Sequence, residues 1–125
     1  MDQETYEKGR RIRTQVLGEA YVRYTAEDDF TGPLQDLVTE YCWGAVWGRD
    51  GLSLKTRSML NLAMIALLNR PNELRTHIRG ALNNGVSRDE IREVFLQVAI
   101  YAGVPAAVDG FRVAREALAE LDENR

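Results

Sequence analysis

The chain has 125 residues and a mass of 14.2 kDa, and its 45% hydrophobic and 28% charged content fits one globular domain that covers residues 1–125. Its 16 basic and 19 acidic side chains give a net charge of −3, which argues against a protein that binds nucleic acid mainly through phosphate contacts. The most apolar run, residues 59–68, is far shorter than a bilayer-spanning helix and the N-terminus lacks a signal-peptide core, so we expect a cytoplasmic protein with no membrane attachment.

Cysteine and histidine occur once each, as Cys42 and His77. One chain therefore cannot form a disulfide, a CxxC redox pair, a cysteine metal cluster or an HExxH zinc site. The sequence also lacks GxGxxG and GKS/GKT phosphate-binding loops. We therefore expect no metal site of these kinds.

Turn and cap residues predict a series of helices with no convincing strand. Residues 4–17 are typical of a polar helix that Gly18 ends, and a loop through residues 28–32 follows. Residues 1–30 are thus predicted as an N-terminal helix and loop. Pro33 suits a first helical position and begins a helical core over residues 33–121.

The first helix of this core extends from Pro33 to about Trp47 and presents two different faces. Its predicted core stripe comprises Leu34, Leu37, Val38, Tyr41 and Ala45. Glu40, Trp43 and Trp47 share the opposite face. Because a chain of this size cannot easily cover both faces, we expect the aromatic face to meet another subunit or to roof a pocket.

The following helices have clear boundaries. Ser53 is placed to cap a helix carrying SMLNLAMIALLN, which is apolar around nearly its whole circumference and is therefore expected to be central. Ser87 and Glu90 predict a capping box for a helix that ends at Gly103, and Pro105 begins the last helix. The residues expected to face the core in the former are Ile91, Val94, Phe95, Val98 and Tyr101. The apolar members of the latter are Val108, Phe111, Val113, Leu118 and Leu121.

The segment of greatest chemical interest is residues 69–85, NRPNELRTHIRGALNNG. Pro71 at its start and Gly85 at its end predict a short helix. The apolar stripe of this helix comprises Leu74, Ile78, Ala81 and Leu82. His77 falls at the edge of that stripe, one turn after Glu73 and two turns after Arg70. A half-buried imidazole beside a carboxylate and a guanidinium indicates acid–base chemistry on an anionic ligand.

Residues 40–118, from EYCWGAVWGRDG through the His77 segment to REAL, resemble the carboxymuconolactone decarboxylase family. This resemblance implies an all-α helical bundle of the alkyl-hydroperoxidase D-like type, assembled as a trimer or hexamer with sites near subunit contacts. It also implies a cofactor-free lyase that removes CO₂ from 4-carboxymuconolactone to give 3-oxoadipate enol-lactone, in protocatechuate breakdown by the β-ketoadipate pathway.

Peroxidase-type relatives in the same superfamily carry a CxxC pair followed by histidine on the corresponding helix. Alignment on His77 places Arg70 and Glu73 where those cysteines would lie, and the glutamate of those relatives falls near Ser58. A thiol peroxidase is disfavoured because no dithiol can form.

The implied reaction requires a proton, a grip on the retained carboxylate and stabilisation of charge on the lactone oxygen. We assign His77 as proton donor or carbonyl polariser, with Glu73 orienting or charging it. Arg70 is the expected carboxylate clamp, and Arg79 is a weaker candidate because it lies off the His77 face. Further candidates are Glu40 as a second acid, Trp43 and Trp47 as pocket walls, and Tyr101 near the break at residues 103–105.

Each of these residues also has a structural interpretation. His77 is equally explained as a hydrogen-bonded half-buried residue, and Glu73 as an acid that interacts with the helix dipole. Trp43 and Trp47 fit subunit packing better than substrate contact, and the default role of Tyr101 is in the core. Two alternative functions remain: a related lyase acting on another lactone or a β-keto acid, and a non-catalytic oligomeric binding protein on the same scaffold.

Overall fold

The computed structural model describes residues 1–26 and 29–124, and within these ranges the chain is helical throughout, with no strand. The elements are α1 (Gln3–Leu17), α2 (Glu19–Ala26), α3 (Gly32–Leu37), a π-helix (Val38–Val46), α4 (Leu54–Leu68), α5 (Pro71–Asn83), α6 (Arg88–Tyr101) and α7 (Val104–Glu123). The predicted all-α class is confirmed. Over the described ranges, each helix is too short or too polar to cross a bilayer.

The N-terminal region contains a helix that the sequence analysis missed. α1 ends at Gly18 as predicted, with the glycine at φ 93°, but α2 follows at once where a loop was expected. Residues 27 and 28 of the predicted loop lie outside the described residues. The chain divides into two compact units, a first unit Met1–Leu54 and a second unit Lys55–Arg125.

In the first unit, α1 packs against the π-helix at very short range. A methyl group placed on Gly9 would overlap the Thr39 carbonyl, and one placed on Gly44 would overlap the Thr5 carbonyl. Only glycine allows two backbones to approach so closely. These two glycines therefore set the distance between α1 and the π-helix.

The π-helix reverses the predicted faces of its segment. Trp43 and Trp47 are only 3% and 5% exposed and, with Val16 of α1, form the core of the first unit. The predicted core residues Leu34, Leu37, Tyr41 and Ala45 are exposed instead. For Tyr41 and Ala45 the prediction was wrong because it assumed α-helical spacing, whereas i→i+5 hydrogen bonding winds more residues into each turn. Leu34 and Leu37 lie before the π-helix on α3, none of whose residues is buried.

The second unit is built around a single apolar cluster. Leu62 and Ala66 of α4, Leu74 and Ile78 of α5, and Phe95 of α6 are buried together with the small-residue face of α7. α5 and α6 each pack on α7. The predicted apolar stripe of α5 is thus confirmed.

α4 departs from its expected central position. It is apolar all round, but Leu60, Met64, Leu67 and Leu68 are exposed. Their spacing places them along one face, opposite the buried Leu62. The chain itself covers only part of this helix.

The ends of the last three helices follow their sequence signals. Gly85 adopts φ 88° after α5, and Ser87 and Glu90 form the reciprocal capping box that begins α6. Gly103 takes φ 114° between α6 and α7. Tyr101 was wrongly assigned to the core: it is the last residue of α6 and is 83% exposed.

Candidate active site

The candidate site is built on α5, whose amphipathic sequence fixes where His77 lies. Pro71 begins the helix, and the burial of Leu74, Ile78 and Ala81 turns one face to the core of the second unit. His77 is half-buried at the edge of this face, as the helical periodicity predicted.

Arg70 and Glu73 lie at the N-terminal end of the same helix and both are exposed. Arg70 directly precedes the first helical residue and makes no ion pair within the described residues. Asn69 before it adopts φ 57°, a left-handed conformation that ends α4 and redirects the chain into α5. The structure therefore places three of the predicted site residues, Arg70, Glu73 and His77, along two successive turns.

Arg79 is committed elsewhere. Its Nη2 donates to Glu120 Oε2 at 2.9 Å, and Arg75 Nη1 donates to the same oxygen at 3.1 Å. Arg75 Nη2 also donates to Glu116 at 2.7 Å. These bonds join α5 to α7, so the charge of Arg79 is already balanced by a carboxylate.

The C-terminal end of α5 is tied to α4 through a neutral pair. Asn84 Nδ2 donates to the Oγ of the buried Ser58 at 2.9 Å. Ser58 stands near the position at which the peroxidase-type relatives are expected to carry a glutamate. A hydrogen-bonded hydroxyl at this position supplies no second acid.

Glu40, Trp43 and Trp47 belong to the first unit, on the π-helix. Glu40 is half-buried, and its Oε1 accepts a hydrogen bond from the Asp2 backbone N–H at 3.1 Å. The two indole rings stack with centroids 4.5 Å apart and an interplanar angle of 26°. These rings were expected to meet another subunit or to roof a pocket; they are instead buried within the first unit, in one cluster with Val16 of α1.

Cys42 lies beside this aromatic pair. It is half-buried against the Trp43 cluster, and burial raises the pKa of its thiol. A protonated, partly buried thiol is a poor nucleophile. These features indicate that Cys42 is a small apolar packing residue.

Three cavities in the described part of the chain are lined by residues other than His77. One of about 890 Å³ lies among α1, α2, α3 and the π-helix of the first unit; a second of about 410 Å³ lies between α6 and α7; a third of about 440 Å³ adjoins the turn after the π-helix. Tyr101 lines none of these three either.

Sequence reasoning missed Arg13, a residue of chemical interest in the first of these cavities. It is only 5% exposed, and its Nη2 and Nη1 donate to Gln35 Oε1 at 2.8 Å and Thr39 Oγ1 at 3.2 Å. Burial lowers the pKa of this guanidinium, an effect that the nearby Tyr21 opposes. The available signal was its spacing from Gly9 and Val16, which places all three on one face of α1.

Comparison with known proteins identifies a family for this chain. Residues 32–116 match the Carboxymuconolactone decarboxylase family. The chain is 39% identical to the 4-carboxymuconolactone decarboxylase of Acinetobacter baylyi, over 96% of this chain and 91% of that protein. It is 40% identical to a nitrosuccinic acid decarboxylase of Metarhizium robertsii, over 93% of this chain and 82% of that protein.

Proposed function

The chain belongs to the carboxymuconolactone decarboxylase family and is a carboxy-lyase, and from this premise we propose that it converts 4-carboxymuconolactone to 3-oxoadipate enol-lactone in protocatechuate catabolism. The observation that carries the proposal is the similarity to the Acinetobacter baylyi decarboxylase over nearly the whole of both chains. The half-buried His77 on α5 supplies a group suited to the chemistry.

The proposed reaction needs no cofactor because the substrate accepts its own electrons. The bond between a ring carbon and its carboxylate breaks, CO₂ leaves, and the electron pair moves through the ring alkene into the lactone carbonyl. The resulting dienolate takes up one proton at a ring carbon. The protein therefore has to deliver that proton and stabilise the developing negative charge on the lactone oxygen.

His77 is the proposed proton donor, because histidine has the side-chain pKa nearest neutrality when unperturbed. Arg70 holds the carboxylate that the product retains, and its exposed guanidinium has no competing ion pair within the described residues. A grip on the departing carboxylate would instead stabilise the reactant more than the transition state. Glu73, one turn before His77, orients or charges the imidazole.

The remaining assignments are weaker. For Arg79 to act as a second carboxylate clamp, its ion pair with Glu120 has to break before substrate binds. Trp43 and Trp47 as pocket walls have little exposed surface, whereas Glu40 as a second acid and Tyr101 as a pocket residue retain exposed atoms.

The proposal includes a homo-oligomer, either a trimer or a hexamer. The exposed face of α4, formed by Leu60, Met64, Leu67 and Leu68, is typical of a surface that a second copy covers. Because His77 lines none of the three cavities described above, a neighbouring copy is proposed to complete its pocket. A cytoplasmic location stays a prediction from the sequence.

The second candidate is decarboxylation of a different activated acid, and the nitrosuccinic acid decarboxylase relative favours it. A nitro group, like an unsaturated lactone or a β-keto group, accepts the electron pair that departing CO₂ leaves behind. The same three protein roles then apply to a different substrate.

A substrate panel tests the proposal. Purified protein is incubated separately with 4-carboxymuconolactone, nitrosuccinate and a β-keto acid, and CO₂ release and substrate loss are followed. The proposal predicts the highest kcat/KM on the lactone. A higher value on another acid overturns the lactone assignment but retains the lyase, and turnover of none of the three overturns the proposal and favours the alternative of a non-catalytic binding protein.

A further inference from the structure

The cavity of about 890 Å³ in the first unit is lined by a buried cation that forms no ion pair with an acid of the described chain. Arg13 lines this cavity and is 5% exposed. It forms no ion pair with the described residues, and its two hydrogen-bond acceptors, Thr39 and Gln35, are neutral. Buried charges in proteins are ordinarily paired because removing a cation from water is costly.

The guanidinium also retains unused donors. Arginine has five N–H groups, of which Gln35 and Thr39 each accept one. The Arg13 Nε is buried and has no hydrogen-bond partner in the described part of the chain. Gln35 and Thr39, which accept from the two Nη atoms, also line this cavity, so the cavity walls hold the guanidinium in place.

The charges around Arg13 favour an anionic ligand. Arg10 and Arg11 line the same cavity and are exposed. Arg23 also lines it, but a 3.1 Å ion pair with Glu19 offsets its charge. Against these cations the cavity has two other acids, Glu7, which accepts a hydrogen bond from Gln3, and the exposed Asp36.

We propose that this cavity binds a small organic carboxylate, with one carboxylate group held on Arg13. The planar fork of arginine matches the two oxygens of a carboxylate. The volume of the cavity lies in the range of small-molecule sites. All the lining residues lie between Tyr6 and Thr39, so the site uses none of the residues assigned to decarboxylation. The inference stands whether or not the chain acts on a lactone.

Calorimetric titration of the full chain with succinate, at constant ionic strength, tests the proposal. Saturable binding is expected, and Arg13→Gln weakens it at least about tenfold because a buried charge-assisted contact is lost. Succinamide, which has the same length but no charge, should not bind. Arg92→Gln, which removes an exposed arginine of α6 outside this cavity, is the matched control and should bind succinate as the wild type does.

Circular dichroism shows whether Arg13→Gln is folded. If Arg13→Gln is not folded, the Asp36→Asn variant tests the proposal instead. Removing an exposed acid from the cavity wall should tighten succinate binding about twofold or more. Absence of saturable succinate binding, equal binding by succinamide, or equal binding by a folded Arg13→Gln variant would overturn the proposal. In the unfolded case, unchanged or weaker binding by Asp36→Asn would do the same.

Discussion

Three arginines of the second unit and Arg13 of the first unit have opposite environments. Arg75, Arg79 and Arg88 are partly exposed, and each lies within 2.6–3.1 Å of a carboxylate on α7. Arg13 is buried and donates only to neutral acceptors in the described part of the chain. A solvated, paired cation adds little to stability, whereas a buried, unpaired one costs stability and therefore calls for another explanation.

The two units also differ in how their helices contact each other. The second unit is held by interlocking side chains, such as the edge-to-face pair of Phe95 and Phe111 with centroids 5.7 Å apart. The first unit depends on direct backbone contact between α1 and the π-helix at Gly9 and Gly44. A contact of this kind has no side chain that can yield to a larger residue.

The largest loss of stability is expected at Gly9. Gly9→Ala places a methyl group on the Thr39 carbonyl and should lower the free energy of unfolding by about 3 kcal/mol, since neither backbone can move away cheaply. Chemical denaturation measures this change. Gly51→Ala, where the added methyl group meets nothing, is the control and should stay within about 0.5 kcal/mol of wild type. Equal effects at the two positions would contradict the close approach.

The contrast between the arginines predicts changes of opposite sign. Arg13→Met exchanges a buried, unpaired cation for an apolar chain of similar length and should raise the free energy of unfolding by about 1–4 kcal/mol. Arg75→Met removes partly exposed ion pairs with Glu116 and Glu120 and should lower it by less than about 1 kcal/mol. Denaturation of both variants under one condition checks the signs. A loss of stability in Arg13→Met would show that its hydrogen bonds outweigh its desolvation.

The smallest effect concerns pH and Glu90. The Ser87 backbone N–H, and then Lys55 at 3.0 Å, hold the pKa of this carboxyl below its ordinary value. A depressed folded pKa contributes stability that is present above the unfolded pKa and is lost as pH falls through the folded value.

Glu90→Gln should therefore have a flatter stability profile than wild type as pH falls from about 5 to about 3. Thermal melting across that range measures the difference. The exposed Glu93→Gln variant serves as the control and should follow the wild-type slope. Parallel stability profiles for wild type and Glu90→Gln would show that this carboxyl does not contribute to the loss of stability at low pH.

The fold of the second unit was largely predictable because each boundary has a local chemical signal. Pro71 begins α5, the Ser87 and Glu90 box begins α6, and Gly85 ends the turn between them. The apolar periodicity of α5 then places His77 at the edge of the core. Where α-helical spacing holds, sequence is sufficient to identify the buried face.

The first unit was less predictable because its decisive features are not local. No single residue type indicates that Val38–Val46 winds as a π-helix, and the change of spacing leaves Tyr41 and Ala45 exposed and Trp43 and Trp47 buried. Arg13 was missed because a charged residue on a polar helix is ordinarily solvated. Its burial depends on α1 meeting the π-helix, which no short motif encodes.

The proposed role of His77 is to deliver the proton that replaces CO₂, and the rate of CO₂ release by His77→Gln tests this role most directly. On the best substrate of the panel, kcat should fall by about 10²–10⁴-fold relative to wild type, because glutamine keeps a polar side chain but cannot donate an acidic proton. Thr76→Ala, the neighbouring change on α5, is the control for helix integrity and should retain turnover. A kcat in folded His77→Gln within twofold of wild type would contradict the account.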